Sequence, residues 1–446
     1  MRVRRRRALF VGAVATAAVA AAVAAFLSGG ARIDIEQHAV AEQGSARTVP
    51  ASPQRPNIVF VLADDLSSDL VHYMPHVQSL MQRGMSFSNY TVSDSLCCPS
   101  RSSIFTGMFP HNTGVFTNTG KDGGFETFYA HGDEKRTFAT ALQKAGYETA
   151  FLGKYMNGYE ARVSKGTAPA EYVPPGWTEW DGVGDGYQGY GYTINHNGRV
   201  ERYGHAPEDY LTTVVQQRAE SFMQSAFDRH AAFMVEVATF TPHFPYVPAP
   251  MDEGTFPSAR APRGPAFNQM PDHAPHWLAA HGRISSGGIA ALDATQRKRI
   301  EDVQSIDRMV GEFERLAAEN AALRDTVFVF SSDNGMHLGE YRLHAGKLTA
   351  FDTDVVVPLV VTGPGIPAGR TNPAIVQNVD LAPTFEELAG APVPGYVDGR
   401  SLVPLLHGEH PPWRTVALIE HHGPDRNPFD PDYQPRPSGN PPTYAA

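Results

Sequence analysis

Five continuous apolar runs, at 56–65, 147–152, 232–238, 326–332 and 355–361, constrain this chain more than any other feature. Strands apolar on both faces belong in the middle of a covered sheet, whereas half-exposed strands alternate. Residues 70–83 carry helical spacing and stop at Gly84, a natural C-cap, and candidate helices at 137–145, 207–226 and 295–322 precede the next three runs. Such alternation predicts an α/β fold with a mostly parallel central sheet flanked by helices. Two stretches rich in Pro, Gly and aromatic residues, 156–206 and 244–293, have no clear period and read as long surface excursions. In open α/β sheets, ligands bind beyond the carboxyl ends of the strands. The polar clusters fall there: Asp64-Asp65 after the first run, Gly153-Lys154 after the second, Thr239 to His243 after the third, and Ser332-Asp333-Asn334-Gly335 after the fourth.

Two adjacent carboxylates behind a buried strand either cap a turn or are costly unless cations compensate them. Asp64, Asp65 and Asp333 with the amide oxygen of Asn334 make an oxygen-only set, suited to Ca²⁺ or Mg²⁺ rather than zinc. The only cysteines, Cys97 and Cys98, are neighbours. Adjacent Cα atoms lie about 3.8 Å apart, below the usual disulfide range. Pro99 suits a first helical position and Gly107 a C-cap, which predicts a short helix with Cys97 at the approach to its N-terminus, where N–H groups favour an anion. Two buried thiols at a helix start are the plainer alternative.

The string Cys97-Cys98-Pro99-Ser100-Arg101, followed by two residues, two apolar positions and Thr106-Gly107, resembles the signature of the type I sulfatases. The resemblance runs in matching order over roughly 56–420. It implies an alkaline-phosphatase-like fold and a sulfuric-ester hydrolase in which Cys97 is converted to formylglycine, with Pro99 and Arg101 completing the recognition motif and Cys98 in the variable place. Asp64, Asp65, Asp333 and Asn334 fall on the family's metal ligands, with modified residue 97 as a further ligand; Ca²⁺ is expected ahead of Mg²⁺. In the implied mechanism one hydroxyl of the aldehyde hydrate attacks sulfur and displaces the alcohol, and loss of the other hydroxyl's proton expels sulfate. Lys154, Lys347 and His243 match positions that grip sulfate or assist proton transfer, and Arg101 is expected to orient the hydrate from behind. Many sulfatases have a His two residues beyond the first Lys; Met156 stands there, with His337 and His344 as candidate replacements. A formylglycine-generating enzyme is the implied maturation partner.

The strings at 96–103, 153–159, 173–177 and 333–343 resemble the N-acetylglucosamine-6-sulfatase branch, which includes heparan endosulfatases, and bacterial members of such branches are often called only arylsulfatases. The expected substrate is therefore a sulfated small molecule or glycan, an aryl sulfate or a 6-O-sulfated amino sugar. A phosphonate or phosphate monoester hydrolase is the rival enzyme. An inactive anchored sulfated-glycan-binding protein is the rival of another class, against which the full metal set and Cys97 argue. Tyr187, Tyr190, Tyr192 and Tyr203 either stack on a sugar ring or pack the first excursion onto the body.

An apolar fraction of 42% and a charged fraction of 19% rule out a disordered or fibrous chain. The formal charge is −10, and five arginines crowd the first seven residues, so the body is more acidic still. That excludes a nucleic-acid partner, whose binding needs phosphate neutralisation. Residues 1–31 read as a signal peptide or N-terminal anchor. The apolar run 8–27 can span a bilayer, yet its Ala/Val composition, A-x-A spacing and Arg6-Arg7 start, which resembles a twin-arginine signal, favour cleaved export. The product would be secreted, periplasmic or surface-anchored, touching membrane only through this segment. Residues 32–55 read as a linker and 56–420 as the catalytic domain, with 413–420 an edge strand. Residues 421–446 read as an irregular tail, with the smaller C-terminal antiparallel subdomain of related sulfatases truncated or absent.

Overall fold

In the computed structural model, which describes residues 55–161, 168–428 and 430–446, the apolar runs build the middle of one large sheet. The leader and all of the linker but Arg55 lie outside the described residues. The strands are β1 (Asn57–Ala63), β2 (Met85–Thr91), β3 (Glu148–Lys154), β4 (Glu179–Val183), β5 (Thr193–His196), β6 (Arg199–Arg202), β7 (Phe233–Ala238), β8 (Thr326–Ser332), β9 (Leu359–Thr362) and β10 (Arg370–Gln377). Their order is β10-β2-β9-β8-β1-β7-β3-β4-β5-β6. β1 pairs in parallel with both β7 and β8, and β7, β3 and β4 continue the parallel run. β9, β5 and β6 join antiparallel. The expected mostly parallel α/β architecture is the one observed.

The unbroken hydrophobicity of β1 has its physical reason in two cores. Ile58, Phe60 and Leu62 pack with Phe105, Phe151 and Phe385 on one face. Val59 and Val61 pack on the other with Ile300, Val303 and Phe313 of the long helix Ser286–Glu319. Each such side chain contributes roughly 1.5–3 kcal/mol when buried. The helices Pro75–Arg83, Phe138–Lys144 and Leu211–Asp228 fall where helical spacing placed them, and the long helix begins before the expected 295. Among the described residues no helix is long and apolar enough to cross a membrane.

Three expectations need correction. The excursion 156–206 contains β4, β5 and β6. Its Asn197-Gly198 turn, with both φ values positive (49° and 88°), closes a two-residue hairpin between His196 and Arg199. The run 355–361 supplies a strand only from Leu359, because the backbone before Pro358 is engaged elsewhere: Gly335 N–H donates to Asp354 O and Val92 N–H to Val355 O. Residues 413–420 do not form an edge strand. The Gln377 side chain takes up both the N–H and the C=O of Leu418, so no ladder forms before Ile419. From there Ile419 exchanges backbone hydrogen bonds with Ala446, and Glu420–His421 pairs antiparallel with Tyr444–Ala445.

Candidate active site

Ala63 and Ser332 are register partners, so Asp64-Asp65 and Asp333-Asn334 leave the ends of β1 and β8 side by side. Asp65 turns the chain at φ 62°, a conformation Asp tolerates better than most residues. Its N–H donates to Asp333 Oδ1 at 3.0 Å, and the next N–H, of Leu66, donates to Ser332 Oγ at 2.8 Å. Asp64, Asp333 and Asn334 are wholly buried.

The short helix Cys97–Thr106 enters this cluster end-on. It closes as expected at Gly107, which is left-handed at φ 71°, but it begins at Cys97 rather than at Pro99. Asn118 Oδ1 accepts the Cys98 N–H at 2.9 Å, answering one of the orphan donors of the first turn. Cys97 Sγ then stands 3.4 Å from Asp64 Oδ1 and 3.1 Å from Lys347 Nζ. Burial, reinforced by Asp432 and Asp64, pushes its thiol well above the ordinary cysteine range.

Four basic side chains answer the acidic set. Lys154 Nζ donates to Asp64 Oδ2 at 2.5 Å and Lys347 Nζ to Asp65 Oδ1 at 2.7 Å. Arg101 Nε donates to Asp333 Oδ2 at 2.8 Å and its Nη1 to Lys154 O at 2.6 Å. His243 Nε2 meets Asp432 Oδ1 at 2.7 Å while Nδ1 meets Phe244 O at 2.6 Å. Burial alone would lower both lysines and His243, but neighbouring carboxylates outweigh it and raise all three: Asp64 beside Lys154, Asp432 beside Lys347, and Asp65 beside His243. The nine residues expected to supply nucleophile, metal ligands and sulfate grip thus gather at one place.

The donor set also fits a hard cation. Ligand atoms of Asp64, Asp65, Asp333 and Cys97 all lie within 4.8 Å of one another. Asn334 Nδ2 donates to Asp65 Oδ1 and Gly335 O, leaving its buried Oδ1 without a partner. An unanswered buried acceptor costs about 1–3 kcal/mol, which an ion at this position would remove.

Neither candidate replacement for the absent family histidine joins the site. His337 is clamped between Asp354 and Ser438 O, and the His344 ring lies beside Gly288 in the first turn of the long helix. Beside Met156 the polar groups are instead Asn118 and Asn157, whose Nδ2 atoms donate to Asp432 Oδ2 at 2.5 and 2.9 Å. Asp432 is the residue that sequence reasoning missed. It comes from the tail, ion-pairs with Lys347, and stands 3.5 Å from Cys97 Sγ, with no motif or period to mark it.

A cavity of about 600 Å³ opens beside Lys154, lined by Asn118, Met156, Asn157, Tyr187 and Phe240. Of the four tyrosines, Tyr192 stacks on Tyr203 and Tyr190 packs against Tyr210, so these hold the excursion in place. Tyr187 alone among them lies against His243, with Lys154 Nζ 4.9 Å from its ring centre.

The N-acetylglucosamine-6-sulfatase of Homo sapiens is 35% identical over 392 residues, covering 86% of this chain and 70% of that one. An extracellular sulfatase Sulf-1 homolog of Caenorhabditis elegans is 35% identical over 380 residues, covering 82% of this chain and 52% of the relative. The chain therefore spans about half the length of the nematode relative. A solved structure of BT4656 in complex with its substrate D-glucosamine-2-N,6-O-disulfate superposes with a TM-score of 0.66 at 24% identity, over 83% of this chain and 84% of that one, a likeness of fold. The sulfatase family model matches residues 56–391, which contain every acidic, basic and cysteine position foreseen for the site, and this chain belongs to the sulfatase family.

Proposed function

We propose that this protein is a sulfuric-ester hydrolase that uses Cys97, converted to formylglycine, together with one divalent cation, Ca²⁺ ahead of Mg²⁺. The observation that carries this reading is the position of Cys97 Sγ, between the Asp64 carboxylate at 3.4 Å and the Lys347 ammonium at 3.1 Å. In the mature protein an aldehyde-derived oxygen takes the place of that sulfur and supplies the nucleophile. A cation held by Asp64, Asp65, Asp333 and Asn334 supplies polarisation of a sulfate oxygen.

The chain's own residues do the rest. Lys154 and Lys347 neutralise the incoming sulfate, which matters because an acidic body repels anions at long range. Arg101 stays behind the acidic set, bracing Asp333 through Nε, and fixes where its carboxylate points. His243 is anchored at Nδ1 by Phe244 O, so the proton it exchanges is the one at Nε2, facing the cluster. Its carboxylate neighbours favour the protonated ring, which suits it to protonate the departing alcohol.

The cavity beside Tyr187 is roomy enough for a sugar ring, which together with the human relative supports a 6-O-sulfated amino sugar as substrate; an aryl sulfate is the simpler surrogate. Export through residues 1–31 agrees with the extracellular relative. The test has two parts. The Cys97 peptide of the secreted protein should be lighter by about 18 Da than its cysteine form, whereas ordinary oxidation adds mass. The same protein should turn over 4-nitrophenyl sulfate faster than a phenylphosphonate ester. An unmodified Cys97 in active protein, or the reverse preference, overturns the proposal.

A further inference from the structure

The anion nearest Cys97 apart from the metal-type carboxylates comes from the far end of the chain. Asp432 is almost wholly buried, with 2% of its accessible surface exposed, and its carboxylate is ringed by donors. Its Oδ1 meets His243 Nε2 at 2.7 Å and pairs with Lys347 Nζ; its Oδ2 accepts from Asn118 and Asn157. Two cationic groups and two amide donors, converging within reach of the nucleophile position, are the complement of a tetrahedral oxyanion.

We infer that Asp432 is a tethered stand-in for sulfate, occupying the seat that the ester's sulfate group must take, and that Asn118 and Asn157 belong to that seat with Lys347 and His243. The inference rests on the sulfatase reading of the site. Two anions cannot share these donors, since each would desolvate against a like charge. Substrate therefore binds only the fraction of molecules in which Asp432 has left, and apparent affinity falls by that fraction.

The segment carrying Asp432 is built as a limb. Asp425 N–H donates to Asn440 Oδ1, and Asn440 Nδ2 donates to the carbonyls of Asp425 and Gln434, so Asn440 ties these positions together. The far side is fixed to the body, where three histidine residues bond consecutive carbonyls: His281 Nε2 meets Arg436 O, His344 N–H donates to Pro437 O, and His337 Nε2 meets Ser438 O. On the near side, Asp432 reaches His243, Lys347, Asn118 and Asn157, and Asp430 bonds Thr119. Release of Asp432 therefore breaks its own four contacts while the carbonyls of residues 436–438 stay held by the body.

The test uses the full, matured chain and inorganic sulfate as probe. In Asp432→Ala, the KM for 4-nitrophenyl sulfate and the inhibition constant of sulfate should both fall at least 10-fold. In that background, Asn157→Ala should raise the sulfate constant again. Unchanged constants, or a kcat that falls with KM intact, overturn the inference. Sulfate binding measured by calorimetry needs no turnover: tighter binding by Asp432→Ala in a protein that hydrolyses no ester keeps the seat and refutes the activity. If the variant does not fold, a crystal of the unaltered protein in saturating sulfate decides. Sulfate on Lys347 and His243 with the Asp432 carboxylate moved away supports the inference; Asp432 in place with sulfate elsewhere overturns it.

Discussion

Arg101 Nε donates to Asp333 Oδ2 at 2.8 Å, and neither side chain has any contact with solvent. The same guanidinium stands 3.7 Å from Asp64 Oδ1, so one cation from the cysteine helix balances carboxylates from the ends of two strands. Removing it leaves buried negative charge uncompensated. Arg101→Ala should destabilise the protein by about 3–5 kcal/mol, read from denaturant unfolding. Excess Ca²⁺ should recover part of that loss, since an ion can take over the compensation. A variant as stable as the parent would show that Arg101 carries no such burden.

The two cysteines should separate cleanly by substitution. Cys97→Ala is expected to abolish sulfate-ester hydrolysis, because its Sγ alone faces both the acidic set and Lys347. Cys98 instead accepts the Asn157 N–H at 3.1 Å and points into the core, so Cys98→Ala should keep most activity. Equal loss in both would mean the modified position is misassigned.

Lys154 and Lys347 each hold a different carboxylate of the acidic set. Replacing either by Ala should cut kcat/KM at least ~10-fold, about 1.4 kcal/mol of transition-state binding. Melting curves recorded alongside the kinetics separate this from misfolding. Near-normal kinetics in both variants would remove the lysines from the site.

What was legible in the sequence was what depends on local pattern. The runs that became β1, β7 and β8 are apolar on both faces because both faces are covered, and the residues after them had to converge where the strands end. The Asn197-Gly198 hairpin signal was present in the sequence too, but the aromatic and glycine-rich surroundings hid the short strands beside it. The failures are those where a side chain overrides the pattern. Residues 413–420 have strand composition, yet the side chain of Gln377 takes both backbone groups of Leu418, and pairing starts only at Ile419. Asp432 lies 335 positions from Cys97, in a proline-rich tail without period, and its meaning exists only in the folded geometry.

Glu236 provides a pH test away from the cluster. It lies in the middle of β7 between Phe60 and Phe151, wholly buried, with neither carboxyl oxygen hydrogen-bonded among the described residues. Burial pushes it from 4.5 up to about 8, against a smaller pull from Arg101. Between those values the folded chain holds a proton that the unfolded chain releases, so this group's contribution to stability falls as pH rises through the window. Glu236→Gln should flatten the decline between pH 5 and 8 (approximate bounds set by the two values). An unchanged slope would mean that Glu236 ionises normally.

Metal removal gives a readout that does not depend on turnover. Three carboxylates and the unpartnered Asn334 Oδ1 converge on one buried volume, where an ion would bind the folded chain and have no comparable site in the unfolded one. Such a ligand stabilises by roughly 2.7 kcal/mol at a hundredfold excess over its dissociation constant. Chelation should therefore lower the melting temperature by several degrees, and Ca²⁺ should restore it at lower concentration than Mg²⁺, which tolerates this mixed, irregular set of oxygens less well. Asp333→Asn should shrink both the loss and the recovery. It removes one negative charge from the set and weakens the hold of Arg101, whose Nε donates to Asp333 Oδ2. A melting temperature indifferent to chelator and to Ca²⁺ in the parent protein would show that the three carboxylates are balanced by Arg101, Lys154 and Lys347 alone.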